Sequence, residues 1–240
     1  MALPTYVAEG TIGASITTIT PGLPAGIATD DILLLWTESQ SGQATGISNE
    51  NGGTWTKHVV QGVGSGAGGT SLGCFWSRYN GTQGDPTVGD SGDHTLGYIE
   101  AYRGCVTSGD PYEGLVIGSE ETADTSLEVT GSTTTGADRL VIVGTAREND
   151  NFNDHYSAWA NADLANIVER SDRGTTQGNG GGLATVTGEK ATSGTYTTTT
   201  ATVAASVLDA FATFALIPAA AAGSLILPNR ARSVAGQLGR

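Results

Sequence analysis

The sequence predicts an all-β protein, an antiparallel jelly-roll-like β-sandwich built from two repeated halves. Three observations carry that expectation. Glycine numbers 36 and Thr is abundant, whereas the strong helix formers Lys, Glu, Gln and Leu are sparse; such a balance suits short strands joined by turns. Residues 30–38, DDILLLWTE, return as residues 138–147, DRLVIVGTAR. The segments flanking the two runs also recur in the same order. One run of about four or five strands cannot bury its apolar face alone, but two copies packed face to face can.

The elements follow in chain order. Residues 6–9 suit a short edge strand, and SITTIT (15–20) alternates apolar and polar as a half-buried strand does. PGLPAG (21–26) is a turn-rich connection. In 30–38 the leucines are consecutive, which implies burial on both faces or one strand end covered by a loop. WTKHVVQ (55–61) reads as a strand, the glycine-rich 62–69 as a turn, and SLGCFWSRY (71–79) as a strand. A long polar loop, 80–93, precedes TLGYIEAYR (95–103). Residues 104–124 link the halves, with one short strand at 112–118.

In the second half, 126–130 corresponds to SITTIT and 136–147 to 28–39. Trp159 matches Trp55, with 164–170 as the strand after it. Residues 183–190 take the place of 71–79, and AASVLDAFATFALI (204–217) echoes 94–105, with Ala210-Phe211 over Ala101-Tyr102. That alignment sets Asp209 against Glu100. The domain therefore spans 1–218, in halves of about 10–105 and 125–218, and 219–240 forms a C-terminal extended arm.

The charge divides at the same place. The formal net charge is −13, all 24 acidic residues precede Pro218, and only Arg230, Arg232 and Arg240 are charged after it. An acidic body repels phosphate, so nucleic acid is not an expected partner. The arm also carries Leu225, Ile226 and Leu227, which a finished sandwich has no place for. These, with Arg230 and Arg232, suit docking on a neighbouring subunit, and hence a homo-oligomer.

Cys74 and Cys105 are too few for a disulfide scaffold, and free thiols are expected. The N-terminus lacks a basic segment followed by an apolar core, so no signal peptide is expected. No apolar run approaches a membrane span. His58, His94 and His155 lack metal-ligand spacing, GVGSGAGG (62–69) precedes no helix, and no nucleophile elbow is present. Two acidic loops, Asp85/Asp90/Asp93 and Glu148/Asp150/Asn153/Asp154, offer hard oxygen ligands of the kind calcium takes, but solvated turns are the simpler reading. Duplication explains matched carboxylates at Glu100 and Asp209 without a glycosidase. No catalytic residue, metal or cofactor is therefore expected. Trp36 and Trp76 have no aromatic counterpart in the other half, which marks them as the candidates for a binding surface, with core packing as the alternative.

A leading acid before an apolar strand (DDILLLW), then a Trp strand, then a late Ala-rich aromatic strand (LDAFATFALIP) resembles small β-sandwich proteins of tailed-bacteriophage particles. The resemblance covers about residues 10–218 and supplies no functional residues. It implies a non-enzymatic virion component, assembled in the host cytoplasm, that contacts other capsid or tail subunits and neither nucleic acid nor membrane. Capsid decoration or cementing is the first expectation. A tail fibre or adhesin module that binds a host-surface glycan is the alternative.

Overall fold

The computed structural model describes residues 1–149 and 155–220. The first half supplies β1 (Thr5–Glu9), β2 (Gly13–Ser15), β3 (Ile32–Ser41), β4 (Ile47–Asn49), β5 (Thr56–Val63), β6 (Gly66–Arg78), β7 (Thr87–Val88) and β8 (Thr95–Arg103). The second supplies β9 (Tyr112–Val129), β10 (Ser132–Thr134), β11 (Arg139–Arg147), β12 (Tyr156–Ala160), β13 (Ala165–Thr175), β14 (Gly181–Lys190), β15 (Gly194–Tyr196) and β16 (Thr199–Leu216). Every regular element among the described residues is a strand.

Two six-stranded antiparallel sheets form. One runs β1-β8-β3-β6-β5, with β2 also on β8; the other runs β12-β16-β11-β14-β13, with β9 also on β16. The two orders correspond strand for strand, β8-β3-β6-β5 against β16-β11-β14-β13. Within each half the first strand is flanked by the third and the fourth, and the second lies at the edge. Asp30 and Asp138, which open the repeated runs, share a left-handed backbone, with φ of 73° and 58°. Aspartate tolerates that region better than most residues, and the shared conformation is an independent mark of the duplication. Each sheet comes from one half of the chain. The connections therefore build a sheet and its copy, and they do not thread strands back and forth between the sheets as a jelly roll does.

The sheets meet face to face about an approximate two-fold axis, with β6 over β11 and β16, and β14 over β3 and β8. Their inner faces make one core. Ile32, Leu34, Trp36, Leu72, Cys74, Leu96, Tyr98 and Tyr102 face Leu140, Ile142, Ala146, Leu183, Ala210, Ala212, Phe214 and Leu216. Trp36 sits near the axis and packs against its own equivalent. That equivalent is Gly144, where an added Cβ would lie 2.3 Å from Trp36 Cζ3. Two tryptophans there would collide and two glycines would leave a void. The halves have diverged into a large and a small residue that fit each other.

Leu33 and Leu35 point to the outer face of their sheet. Ile19, Trp55 and Val88 cover them, with Leu23, Ile27 and Ile47 alongside. Opposite, Tyr156, Trp159 and Val203 cover Val143 and Val186. Both faces of each central strand are thus buried, which accounts for the unbroken apolar runs.

Several expectations are corrected. SITTIT is not a strand: only Ser15 belongs to β2, Ile16 is exposed, and Ile19 turns inward to bridge Val88. Its counterpart, 126–130, ends the 18-residue β9, which takes up most of the expected linker. β6 begins at Gly66, so much of the glycine-rich 62–69 is ladder. Glu100 pairs across to Leu34 as Phe214 does to Ile142. The counterpart of Glu100 is therefore Phe214, and Asp209, opposite Arg147, matches Thr95, opposite Ser39. Both cysteines are free and buried: Cys74 lies in β6, and Cys105 follows β8 and bridges Pro218. Leu225, Ile226, Leu227, Arg230 and Arg232 lie outside the described residues.

Candidate functional site

The two tryptophans singled out from the sequence part company. Trp36 is fully buried, stacks on Phe214 with centroids 6.1 Å apart, and donates its Nε1–H to Glu100 Oε2 at 3.2 Å. It offers no surface, because the two-fold packing consumes the whole ring. Trp76 is only partly buried and walls a recess of about 370 Å³ with Thr54, Thr56, Arg78, Asn80 and Asp110. That volume lies at the lower end of the ~300–1,000 Å³ typical of small-ligand pockets.

Local structure explains how the recess forms. Trp76 stands opposite Thr56 in the β5–β6 ladder, near the end of the sandwich where β3 begins. Two residues on, Arg78 reaches out to the segment between β8 and β9. It donates to the Val106 carbonyl and, through Nη2, to the Gly109 carbonyl at 3.1 Å. These bonds hold that segment against β6 and bring Asp110 to the rim. Asn80 donates to the Gly52 carbonyl at 2.8 Å and fixes the other wall. Sequence reading found Trp76 through its missing counterpart, which the ladders identify as Thr187. It missed Arg78 and Asp110, because only the fold brings their segments together.

Charged groups also cluster inside the sandwich, and each is engaged there. At the end opposite the recess, His94 Nε2 bonds Glu38 Oε2 at 2.9 Å and its Nδ1 bonds Asp93 Oδ2 at 2.8 Å. Thr70 donates to Glu38 Oε1, and Asp93 accepts the Asn179 amide from the turn between β13 and β14. Burial disfavours a charged ring, but the hydrogen bonds and charges of Glu38 and then Asp93 outweigh it and raise His94 to about 9. Burial raises the Glu38 carboxyl, while His94 pulls it back. With both nitrogens donating to carboxylates, this imidazolium has no lone pair for general-base work.

On the outer face of the second sheet, Arg147 pairs with Asp172 at 3.3 Å and lies over the Tyr156 ring, whose hydroxyl donates to Asp209. Burial pushes Asp209 up to about 7. Glu100 lies between the sheets, so a sheet separates it from Asp209 and the two cannot flank one substrate. The acidic loop residues are occupied separately: Asp85 accepts the Leu23 amide and Asp90 the Gly92 amide. Among the described residues no group of three His, Cys, Asp or Glu is placed to hold a metal ion. Asp150, Asn153 and Asp154 lie outside them.

Glu100 yields a pH prediction. It accepts from Trp36, Tyr102 and, across the sheets, Thr185. Burial nevertheless dominates and pushes it up to about 7 from an ordinary value of 4.5. A folded-state carboxyl with a raised pKa holds its proton where the unfolded chain has lost it. Its contribution is therefore most favourable below about pH 4.5 and declines as pH rises toward 7, by about 3 kcal/mol. Glu100→Gln cannot ionise, and Thr185 can turn to accept from its amide. The variant should match the parent near pH 4.5 and exceed its stability by a few kcal/mol at pH 8. Urea unfolding of both proteins at the two pH values checks this. The comparison cancels the opposite trend from His58 and His155, which burial lowers to about 4. A stability difference independent of pH would refute it.

Together these features define the class: a duplicated antiparallel β-sandwich with internally engaged charges and a tryptophan-walled recess. No protein-family model, curated protein or solved structure matches the chain.

Proposed function

We propose that this chain is a non-enzymatic structural component of a tailed-phage particle, which decorates or cements the capsid through subunit contacts. The observation that supports the reading is where the phage-like residue pattern falls in the fold. DDILLLW runs into β3, at the centre of its sheet. Trp55 covers that sheet's outer face just before β5, and LDAFATFALIP runs through the last part of β16, against β11. The pattern is thus a framework pattern, which suits a rigid building block. The acidic body, with a basic, aliphatic stretch after Pro218, supports assembly with other subunits. The arm's three aliphatics would contribute roughly 5 kcal/mol against a neighbour before ordering costs, which is weak singly and effective when repeated over a shell.

Mass spectrometry of purified particles from the source that encodes this chain should find it at a fixed ratio to the major capsid subunit. A chain ending at Pro218 should fold yet fail to bind those particles. Absence of the full chain from the particles, or equal binding by the shortened one, would overturn the assignment or the role of the arm, respectively.

A further inference from the structure

We infer that the recess beside Trp76 is a binding subsite for an uncharged saccharide. This reading does not rest on the particle assignment and goes beyond it, since decoration requires no small ligand.

The wall has two kinds of surface at once. Trp76 supplies an aromatic face that its strand neighbours hold in place, while its Nε1–H is buried and has no hydrogen-bond partner among the described residues. Around it stand the exposed hydroxyls of Thr54 and Thr56, the guanidinium of Arg78 and the exposed carboxylate of Asp110. Arg78 spends one Nη1 donor and one Nη2 donor on the carbonyls of Val106 and Gly109, so its orientation is set before any ligand arrives and other N–H groups remain.

A pyranose matches this arrangement. One face of the ring presents C–H groups that pack on an indole, and its hydroxyls both donate and accept. A carboxylate accepts from two neighbouring hydroxyls, and a guanidinium donates to their oxygens. Other ligand classes fit less well. Asp110 and the net charge of −13 oppose an anion such as a phosphate or sulfate. A wholly apolar ligand would strip water from Asp110 and Arg78 without replacing it. Trp76 also breaks the internal repeat: the equivalent position, Thr187, is small and buried. The ladder at this position thus takes a small residue in one half and an aromatic ring, partly open to the recess, in the other.

The test uses the full chain, labelled with ¹⁵N, and follows the four indole N–H resonances. The probes are the methyl glycosides of glucose, galactose, mannose and N-acetylglucosamine, and the corresponding β-linked disaccharides. At least one should shift the Trp76 resonance saturably, with a Kd of about 1 mM or tighter, while the Trp36 resonance stays in place as evidence of an intact core. Asp110→Asn, at an exposed position, should weaken that binding by about tenfold. Trp76→Thr installs the residue the other half carries at this place and should abolish the binding, read in that variant from the backbone amide resonances of Thr56 and Asp110, which line the same recess. The inference is overturned if no probe moves the Trp76 resonance, or if binding persists unchanged in both variants. The particle assignment survives either failure, because particle binding is read separately.

Discussion

Alanine at position 144 should destabilise this protein more than its single added methyl suggests. Gly144 lies under the indole of Trp36, with a hypothetical Cβ 2.3 Å from Cζ3 and 2.4 Å from Cη2. The indole cannot easily withdraw. Its Nε1–H is bonded to Glu100 and its face is stacked on Phe214. On the backbone side, β11 is laddered to β14 and β16 and cannot shift alone. Overpacking a well-filled core costs about 1–3 kcal/mol, and these restraints argue for the upper end. Trp36→Leu should cost about as much for the opposite reason, since it opens a cavity at the two-fold axis and strands Glu100 without one donor. The double variant should cost less than the two singles added together, with a coupling of roughly 1–3 kcal/mol, because leucine leaves room for the new methyl. Urea midpoints of the four proteins give the cycle. Strictly additive costs would mean that the large and small residues do not compensate each other.

Position 144 also marks what a sequence can show. The duplication was legible because it rests on strand periodicity, and both halves kept the apolar runs that bury two faces. The large–small exchange at the axis was not, since it appears only when the halves are docked. Likewise the acidic part of β9, SEETAD, reads as a linker. It is a largely solvated edge strand, without the alternation that betrays a half-buried one. Aligning Ala210-Phe211 with Ala101-Tyr102 set Asp209 against Glu100, and only the inter-strand register shows otherwise. Trp76 was found by comparing the halves, a rule that also selected Trp36. The rule detects asymmetry between the copies, and asymmetry serves packing at one of these positions and lines a surface recess at the other.

His94 was legible only as a histidine in a loop, yet it is 1% exposed and is expected to carry one of the largest single-residue effects in the molecule. Its partner Glu38, 0% exposed, ends the apolar part of β3 and read as a polar exit. Gly181 makes the room, since a Cβ there would lie 2.3 Å from Glu38 Oε2. Gly181 is thereby explained as the ceiling of the buried pair, while its neighbour Gly182 makes room for Arg147, whose Cζ an added Cβ would meet at 2.2 Å. His94→Leu should leave the Glu38 carboxylate buried with Thr70 as its remaining side-chain donor, at a cost of about 3–5 kcal/mol.

The contribution of the pair should also depend on pH. His94 titrates at about 9 in the fold and near 6.5 when unfolded. A raised histidine contributes stability that is fully present below about pH 6.5 and is lost as pH rises through 9. Against Glu38→Leu with His94→Leu, which titrates at neither position, the parent should therefore lose about 3 kcal/mol between pH 6 and pH 9.5. Replacing both partners, as Glu38→Leu with His94→Leu, removes the stranded charge and should recover much of the loss, because a buried pair can often be exchanged for apolar residues of similar volume at little cost. Denaturant unfolding of the three variants and the parent at pH 6 and pH 9.5 decides the matter. A His94→Leu cost below about 1 kcal/mol, or a parent whose stability relative to the double variant is the same at both pH values, would show that the proton between Glu38 and His94 does not hold this end of the sandwich together.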